Sequence, residues 1–347
     1  MDPSVYIPAY LERTYLASHP ELTDAARELV HNDVSVNPHK YAQTEHAQAL
    51  LSYAGVHRHL LDELHRIEDM GSDEEFEQTR NRLFDDMRDE LLKIVRVDAL
   101  AVDAQLLAII LADTPVDACL GDLMKLEATT ADYLQQSVPG FDIEAPHYWA
   151  NNVLADGVTA ADLTVSEPAL IGWLHTLEAI SQLCMASARH RAAANYARRV
   201  LKAEGYPTRA AGTVLLALAR LEDEDGFFAL AHQLEEEIGA DALENSPWYL
   251  LARTILLFKT NKMRPATRAL REFANRCEGG AFFLLNPMYQ TPYLPCRPEP
   301  RDPWDLSHQA VWEADGIISD TPDFAPWANA CEDVSQLAQE FARRYGF

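Results

Sequence analysis

With 347 residues, 48% of them hydrophobic, the chain has ample apolar side chains for a continuous core and far too many for a disordered chain. Its formal charge of −25 weighs against a nucleic-acid or anionic-membrane surface, because like charges repel at long range. Glycine is sparse, Ala, Leu, Glu and Arg are plentiful, and no clear alternating strand pattern occurs, so the expected class is all-α.

Residues 5–33 read as two short helices broken near Pro20. From Pro38 to Met70 one longer helix is expected, with His39, His46, Leu50, Tyr53, His57, Leu60 and Leu64 on one stripe at 3.6 residues per turn. Gly71-Ser72 ends it, and Ser72-Asp-Glu-Glu75 has the form of a capping box for a helix over about 73–95. That helix is expected to bury Phe76, Leu83, Met87 and Leu91. Residues 97–136 predict a helix pair: Asp103–Ala112, then a second helix opened by Pro115 with Val116, Leu120, Leu123 and Leu126 inward. Between Pro139 and Pro168, Pro and Gly punctuation breaks the pattern, while Phe141, Tyr148 and Trp149 mark part of that stretch as packed.

Three further pairs follow: Ala169–Ala188 with Arg191–Glu204, Thr208–Leu221 with Gly226–Ile238, and Ser246–Thr260 with Arg264–Cys277. Ile180, Leu215 and Ala252 in the first helices, and Ala194, Ala231 and Ala266 in the second, recur at 35–37 residues. A two-helix unit of that length cannot bury its apolar face alone, so such units stack into a solenoid. Gly279-Gly280 then reads as the C-cap region of the last of these helices. The passage from Pro287 to Pro303 is too proline-dense for helix and is expected to run extended. Asp302-Pro303 should start a helix to about Ile318. A last helix, Trp327–Tyr345, is expected to seal the open end with Trp327, Cys331, Val334, Leu337, Phe341 and Tyr345.

The repeat length is close to the tetratricopeptide period of about 34 residues. The run Val97-Asp-Ala-Leu-Ala-Val-Asp-Ala104 resembles the "DP-x-x-VDA" entry to a helix pair in bacterial tetratricopeptide proteins related to the eukaryotic suppression-of-tumorigenicity proteins. Trp248 opening the third repeat, then Asn286-Pro287 and Pro292-Tyr293-Leu294-Pro295, are similar to that family's "NP-x-x-P-x-YL" passage. Thr321-Pro322 followed by Trp327 resembles its closing element. The pieces keep their order from about residue 95 to 330, although Ala99 replaces the proline and Gly212 is nearly the only repeat-type glycine. The resemblance implies a helical scaffold and carries no activity or ligand-binding residues.

His39, His46 and His57 share the predicted stripe, but seven residues of helix rise about 10 Å, and ligands of one ion stand about 2 Å from it. Asp62 and His65 are spaced i, i+3, without the second such pair a di-iron bundle needs. No G-x-S-x-G, phosphate loop or G-x-G-x-x-G occurs, so no catalytic residue, metal ligand or cofactor is assigned. The five cysteines are scattered, with no C-x-x-C pair, which fits reduced thiols in a cytoplasmic protein. The start lacks a basic-then-apolar leader, and the longest apolar run, around Leu106–Ala112, is too short to span a bilayer.

One charge pattern points to a partner. Arg189, Arg191, Arg198, Arg199, Lys202 and Arg209 form a basic island, and Arg253, Lys259, Lys262, Arg264, Arg268 and Arg271 a second; Glu222–Asp225 and Glu235–Glu237 lie between them. Neutralisation between neighbouring repeats is one reading. The other is a guanidinium-lined groove for an acidic peptide, with Trp173, Arg220 and Arg253 as its best placed residues. Trp304, Trp312, Phe324 and Trp327 read as packing for an extended strap.

The expected architecture is a tetratricopeptide-like solenoid of antiparallel helix pairs. Its segments are an N-terminal helical part (1–95), repeats over 96–286 interrupted at 139–168, a proline-rich strap (287–303) and a C-terminal helical cap (304–347). The expected role is a non-catalytic protein–protein scaffold binding a protein or peptide, with no nucleic acid and no membrane. The rival is an α-helical metal-dependent enzyme using the His-rich N-terminal helices.

Overall fold

Side-chain caps at Asp2, Thr23, Thr44, Ser72, Thr159, Asp223 and Ser246 mark where seven of the helices begin. In a computed structural model that describes residues 1–67, 72–149, 154, 157–290 and 302–347, those residues form eighteen α-helices and no strand; their one β-bridge joins Phe141 and Trp149. They fall into two units, residues 1–179 with 200–208, and residues 180–199 with 209–290 and 302–347.

The first unit opens with α1 (Pro3–Ser18), whose Asp2 cap accepts from the Ser4 backbone N–H, and α2 (Asp24–Val34), capped by Thr23. The expected Pro38–Met70 helix is shorter. Pro38–Lys40 forms a single 3₁₀ turn carrying His39, and Thr44 then accepts from Ala47 to start α3 (Glu45–Ile67). His39 therefore drops off the stripe, while Leu50, Tyr53, His57 and Leu60 are buried along it. Ser72 caps α4 (Asp73–Val97), which buries Met87 and Leu91; Phe76 and Leu83 are only half-buried. Next come α5 (Val102–Ile110) and α6 (Val116–Ser137), which pack together as the expected pair. Val116 is a correction: it is 46% exposed, because a first-turn residue directly after Pro115 projects beyond the packed stretch of the helix. The stretch 139–168 buries Phe141, Tyr148 and Trp149 and holds a short helix, α7 (Ala160–Thr164), closed by a Thr159–Asp162 capping box.

Residues 168–179 of α8 (Pro168–Ala186) belong to the first unit and 180–186 to the second, as do most residues of α9 (His190–Leu201). The second unit continues with α10 (Ala210–Leu221), α11 (Glu224–Ile238), an unanticipated turn of helix α12 (Ala240–Glu244), α13 (Pro247–Lys259) and α14 (Met263–Arg276). Every expected helix from residue 169 to 277 is present within a few residues, in the expected order. Glu222 and Asn261, both with φ of 59°, reverse the chain inside the second and third pairs. Helix α10 packs along α13, and their closest approach is at Gly212, where a Cβ would stand 2.3 Å from the Trp248 ring. Gly212→Ala is therefore expected to destabilise this unit by about 1–3 kcal/mol through overpacking, read as a lowered urea midpoint at unchanged m-value.

Four features near the C-terminus differ from expectation. Cys277 caps α14, and Gly279 (φ 75°) begins a new helix, α15 (Gly280–Leu285), instead of closing the old one. Gly280 is required because a Cβ there would stand 2.7 Å from the Phe273 ring. Pro287–Tyr289 is a 3₁₀ turn; most of the expected extended passage lies outside the described residues. Helix α16 (Asp305–Ser319) starts two residues after Pro303, with the Asp305 carboxylate accepting from the Asp302 N–H. The expected closing helix is two, α17 (Phe324–Asn329) and α18 (Glu332–Tyr345), separated by an extended Cys331. Trp304, Phe283, Phe341 and Phe347 form an aromatic cluster where α15, α16 and α18 meet; the strap that Trp304, Trp312, Phe324 and Trp327 are expected to pack lies mostly outside the described residues.

Candidate functional site

The three residues named for a groove have different surroundings. Trp173 lies on α8 in the first unit with 0% exposure, its Nε1–H donating to Glu127 Oε1 at 3.0 Å and its ring edge-on to Phe141 and Tyr148. No guest reaches it. The groove reading placed it on an open inner face, but α8 is apolar nearly all round and is covered on the Trp173 side by the 141–149 stretch. Arg220, in the last turn of α10, reaches Asp320 at 3.4 Å with its side chain 32% exposed. Arg253, on α13, pairs with Glu272 of α14 and lies over the Tyr249 ring at 5.2 Å. The Nε atoms of both arginines are buried and have no hydrogen-bond partner.

Most of the second basic island is neutralised from neighbouring elements. Lys259 and Lys262 pair with Glu222 and Glu224, which joins the third helix pair to the second, and Arg271 pairs with Asp333. In the first island, Lys202 donates to the Ile143 carbonyl and lies over the Tyr148 ring, and Arg209 donates to Gln309 Oε1 at 2.5 Å. His190, at the start of α9, is buried with both ring nitrogens lacking a partner. Burial, and then the Arg220 charge, hold its imidazole below the usual range and so neutral.

The face that α10 and α13 present together is covered by α16. Helix α16 buries Gln309, Ala310, Val311, Ala314 and Ile317 against α10, α13 and α15. Its polar edge is tied down at three points: Arg209 to Gln309, Trp248 Nε1–H to Glu313 Oε2 at 2.7 Å, and Arg220 to Asp320. The face expected to receive an acidic guest is thus covered by an acidic helix of the same chain.

Sequence reasoning missed a buried polar knot in the first unit. Asp103 on α5, 5% exposed, accepts from the Tyr6 hydroxyl at 2.6 Å and from His175 Nδ1 at 2.8 Å. His175 Nε2 in turn lies 2.6 Å from the Met1 nitrogen. Burial works to raise the Asp103 pKa, yet the His175 charge and the bonds from His175 and Tyr6 outweigh it and hold the carboxyl below its ordinary value. Burial and the Asp103 charge push the Tyr6 phenol well up, and burial holds nearby His57 below the usual imidazole range despite Asp2 and Asp103. The available signal was a lone carboxylate in the apolar run Val102–Ile110, together with His175 and Glu178 in the apolar helix α8. The knot joins α1, α5 and α8, with the Asp103 carboxylate buried and the His175 side chain 16% exposed, and its bonds tie three helices distant in sequence.

The other histidines do not converge on a metal-binding arrangement. His46 pairs with Asp98 at 2.5 Å, and Asp62 and His65 are exposed. Among the described residues no group of three or more His, Cys, Asp or Glu side chains stands close enough to hold a metal ion, and no helix is long and apolar enough to cross a membrane. What fold and site define is an all-α protein with a buried Asp–His pair in one unit and helix α16 covering α10 and α13 in the other. The chain matches no family model, no curated protein and no solved structure.

Proposed function

We propose that the protein is a non-catalytic, helical-repeat scaffold of tetratricopeptide type that holds another polypeptide through the basic side of its second unit. The observation that carries this reading is the repetition of helix pairs whose first helices, α10 and α13, pack side by side with arginines along them. The third pair is joined to the second by two ion pairs, Lys259 to Glu222 and Lys262 to Glu224, as neighbouring stacked units would be. The acidic stretch 302–320 against this face supports a carboxylate-bearing guest, since Asp320 meets the Arg220 guanidinium and Glu313 accepts from the Trp248 Nε1–H. Trp173 drops out of the reading because it has no exposed surface.

The test is affinity capture from the native host by the full chain and by the double charge reversal Arg220→Glu with Arg253→Glu. Arg66→Glu, an exposed residue of the first unit, serves as control. Specific partners are expected to fall at least tenfold with the double variant and to persist with the control. A partner set unchanged by the double variant refutes the reading.

A further inference from the structure

The features of α16 set it apart from the helices that surround it. It carries Asp305, Glu313 and Asp315, has Asp320 at its C-cap, and contains no Lys or Arg. A carboxylate at the C-terminal end of a helix opposes the macrodipole, and no basic residue in the last turn offsets it. Gly316 sits inside the helix although nothing stands within 4 Å of where its Cβ would be, so no packing requirement accounts for it. A cavity of about 160 Å³ remains beside Gly316 and Trp312, walled on the other side by Gln182, Met185 and Thr213. Arg220 reaches Asp320 only at 3.4 Å, with both side chains a third to a half exposed. Against α10 and α13 the helix sets two alanines, Ala310 and Ala314, beside Val311 and Ile317, while its large aromatic contact, His308 on Phe283, lies at its N-terminal end.

We propose that the trough between α10 and α13 is a docking groove for an acidic amphipathic helix of a partner protein, and that α16 occupies it as the chain's own exchangeable stand-in. This rests on the scaffold reading above and names its site and guest. The guest has small apolar residues at the spacing of 310, 314 and 317, and acceptors at the positions of Gln309, Glu313 and Asp320, which meet Arg209, Trp248 and Arg220. Exchange proceeds helix for helix. An emptied trough would expose the apolar faces of α10 and α13, so α16 opens only transiently by itself and stays out when another helix takes its place.

The test is hydrogen exchange on the full chain with a synthetic peptide of residues 302–321 carrying Gly316→Ala, whose mass separates its fragments from those of the chain. Without peptide, the amides of 305–319 are expected to exchange at least tenfold faster than those of α13. Peptide should accelerate them further, and Arg220→Glu in the chain should abolish that acceleration. Placing Gly316→Ala in the chain instead leaves the groove intact and strengthens the resident helix, so it should weaken the peptide's effect about fivefold. Protection of 305–319 equal to that of α13, or no response to peptide up to about 1 mM, overturns the proposal. So does self-association of the chain that grows with its concentration while the peptide stays inert, since the groove's guest is then a second copy. If exchange fails while captured partners still depend on Arg220 and Arg253, the groove assignment falls and the scaffold reading stands.

Discussion

Asp103→Ala is expected to destabilise the first unit by about 3–5 kcal/mol, measured as a lowered urea midpoint. The substitution leaves the buried Tyr6 hydroxyl and the His175 ring without the acceptor that faces both. A pH dependence accompanies it. Asp103 has a folded-state pKa below its unfolded value of about 3.9, so its contribution is complete above that pH and is lost as pH falls through the folded value. His57, held neutral by burial, adds an earlier stage: the unfolded chain takes up its proton below about pH 6.5, so stability declines from there downward. The wild type should therefore lose stability in two steps on acidification. Asp103→Ala should retain the upper step and lack the lower one's Asp103 component. A variant as stable as wild type at pH 7 would show that Tyr6 and His175 find other partners and that the knot is no lock.

Trp173→Ala is expected to cost about 3–5 kcal/mol, the range for emptying a fully buried tryptophan site. It also removes the donor to Glu127, which is itself buried. Trp173→Phe keeps most of the volume and the edge-on contacts with Phe141 and Tyr148, yet still withdraws the N–H, so a smaller loss of about 1–3 kcal/mol is expected. The two variants separate a core residue from a guest-binding one. A core role predicts loss of stability in both, with partner capture by the folded fraction unchanged. A selective loss of capture at full stability would put Trp173 back on the binding surface.

The helix pairs from 169 to 277 were legible because each has its own local signature: apolar residues at helical spacing, a cap such as Ser246 with Pro247, and a turn that ends it. The N-terminal helices were legible for the same reason, apart from the start of α3, where the stripe was extended through a 3₁₀ turn that Pro38 opens. The split near Cys331 was hidden because Trp327, Cys331 and Val334 keep helical spacing across the break while the backbone at Cys331 is extended. The double glycine misled because a glycine with positive φ can end one helix or begin the next, and only the Phe273 ring against Gly280 decides between them.

The site itself was mostly illegible. Arg220 and Arg253 could be placed on first helices from spacing alone, but whether they face solvent, a guest or their own chain depends on segments far away: Asp320 lies 100 residues from Arg220. The same holds for the knot, whose Tyr6, Asp103 and His175 are separated by 97 and 72 residues. What the sequence determined by itself was the all-α class, the positions of most of the helices and the acidic character of the chain, since periodicity, caps and charge are properties of neighbouring residues. What only the tertiary structure decided was which carboxylate meets which cation, that Trp173 lies in the core, and that α16 covers α10 and α13. Hydrophobic burial is non-directional, and an amphipathic stripe states that a face must be covered without stating by what.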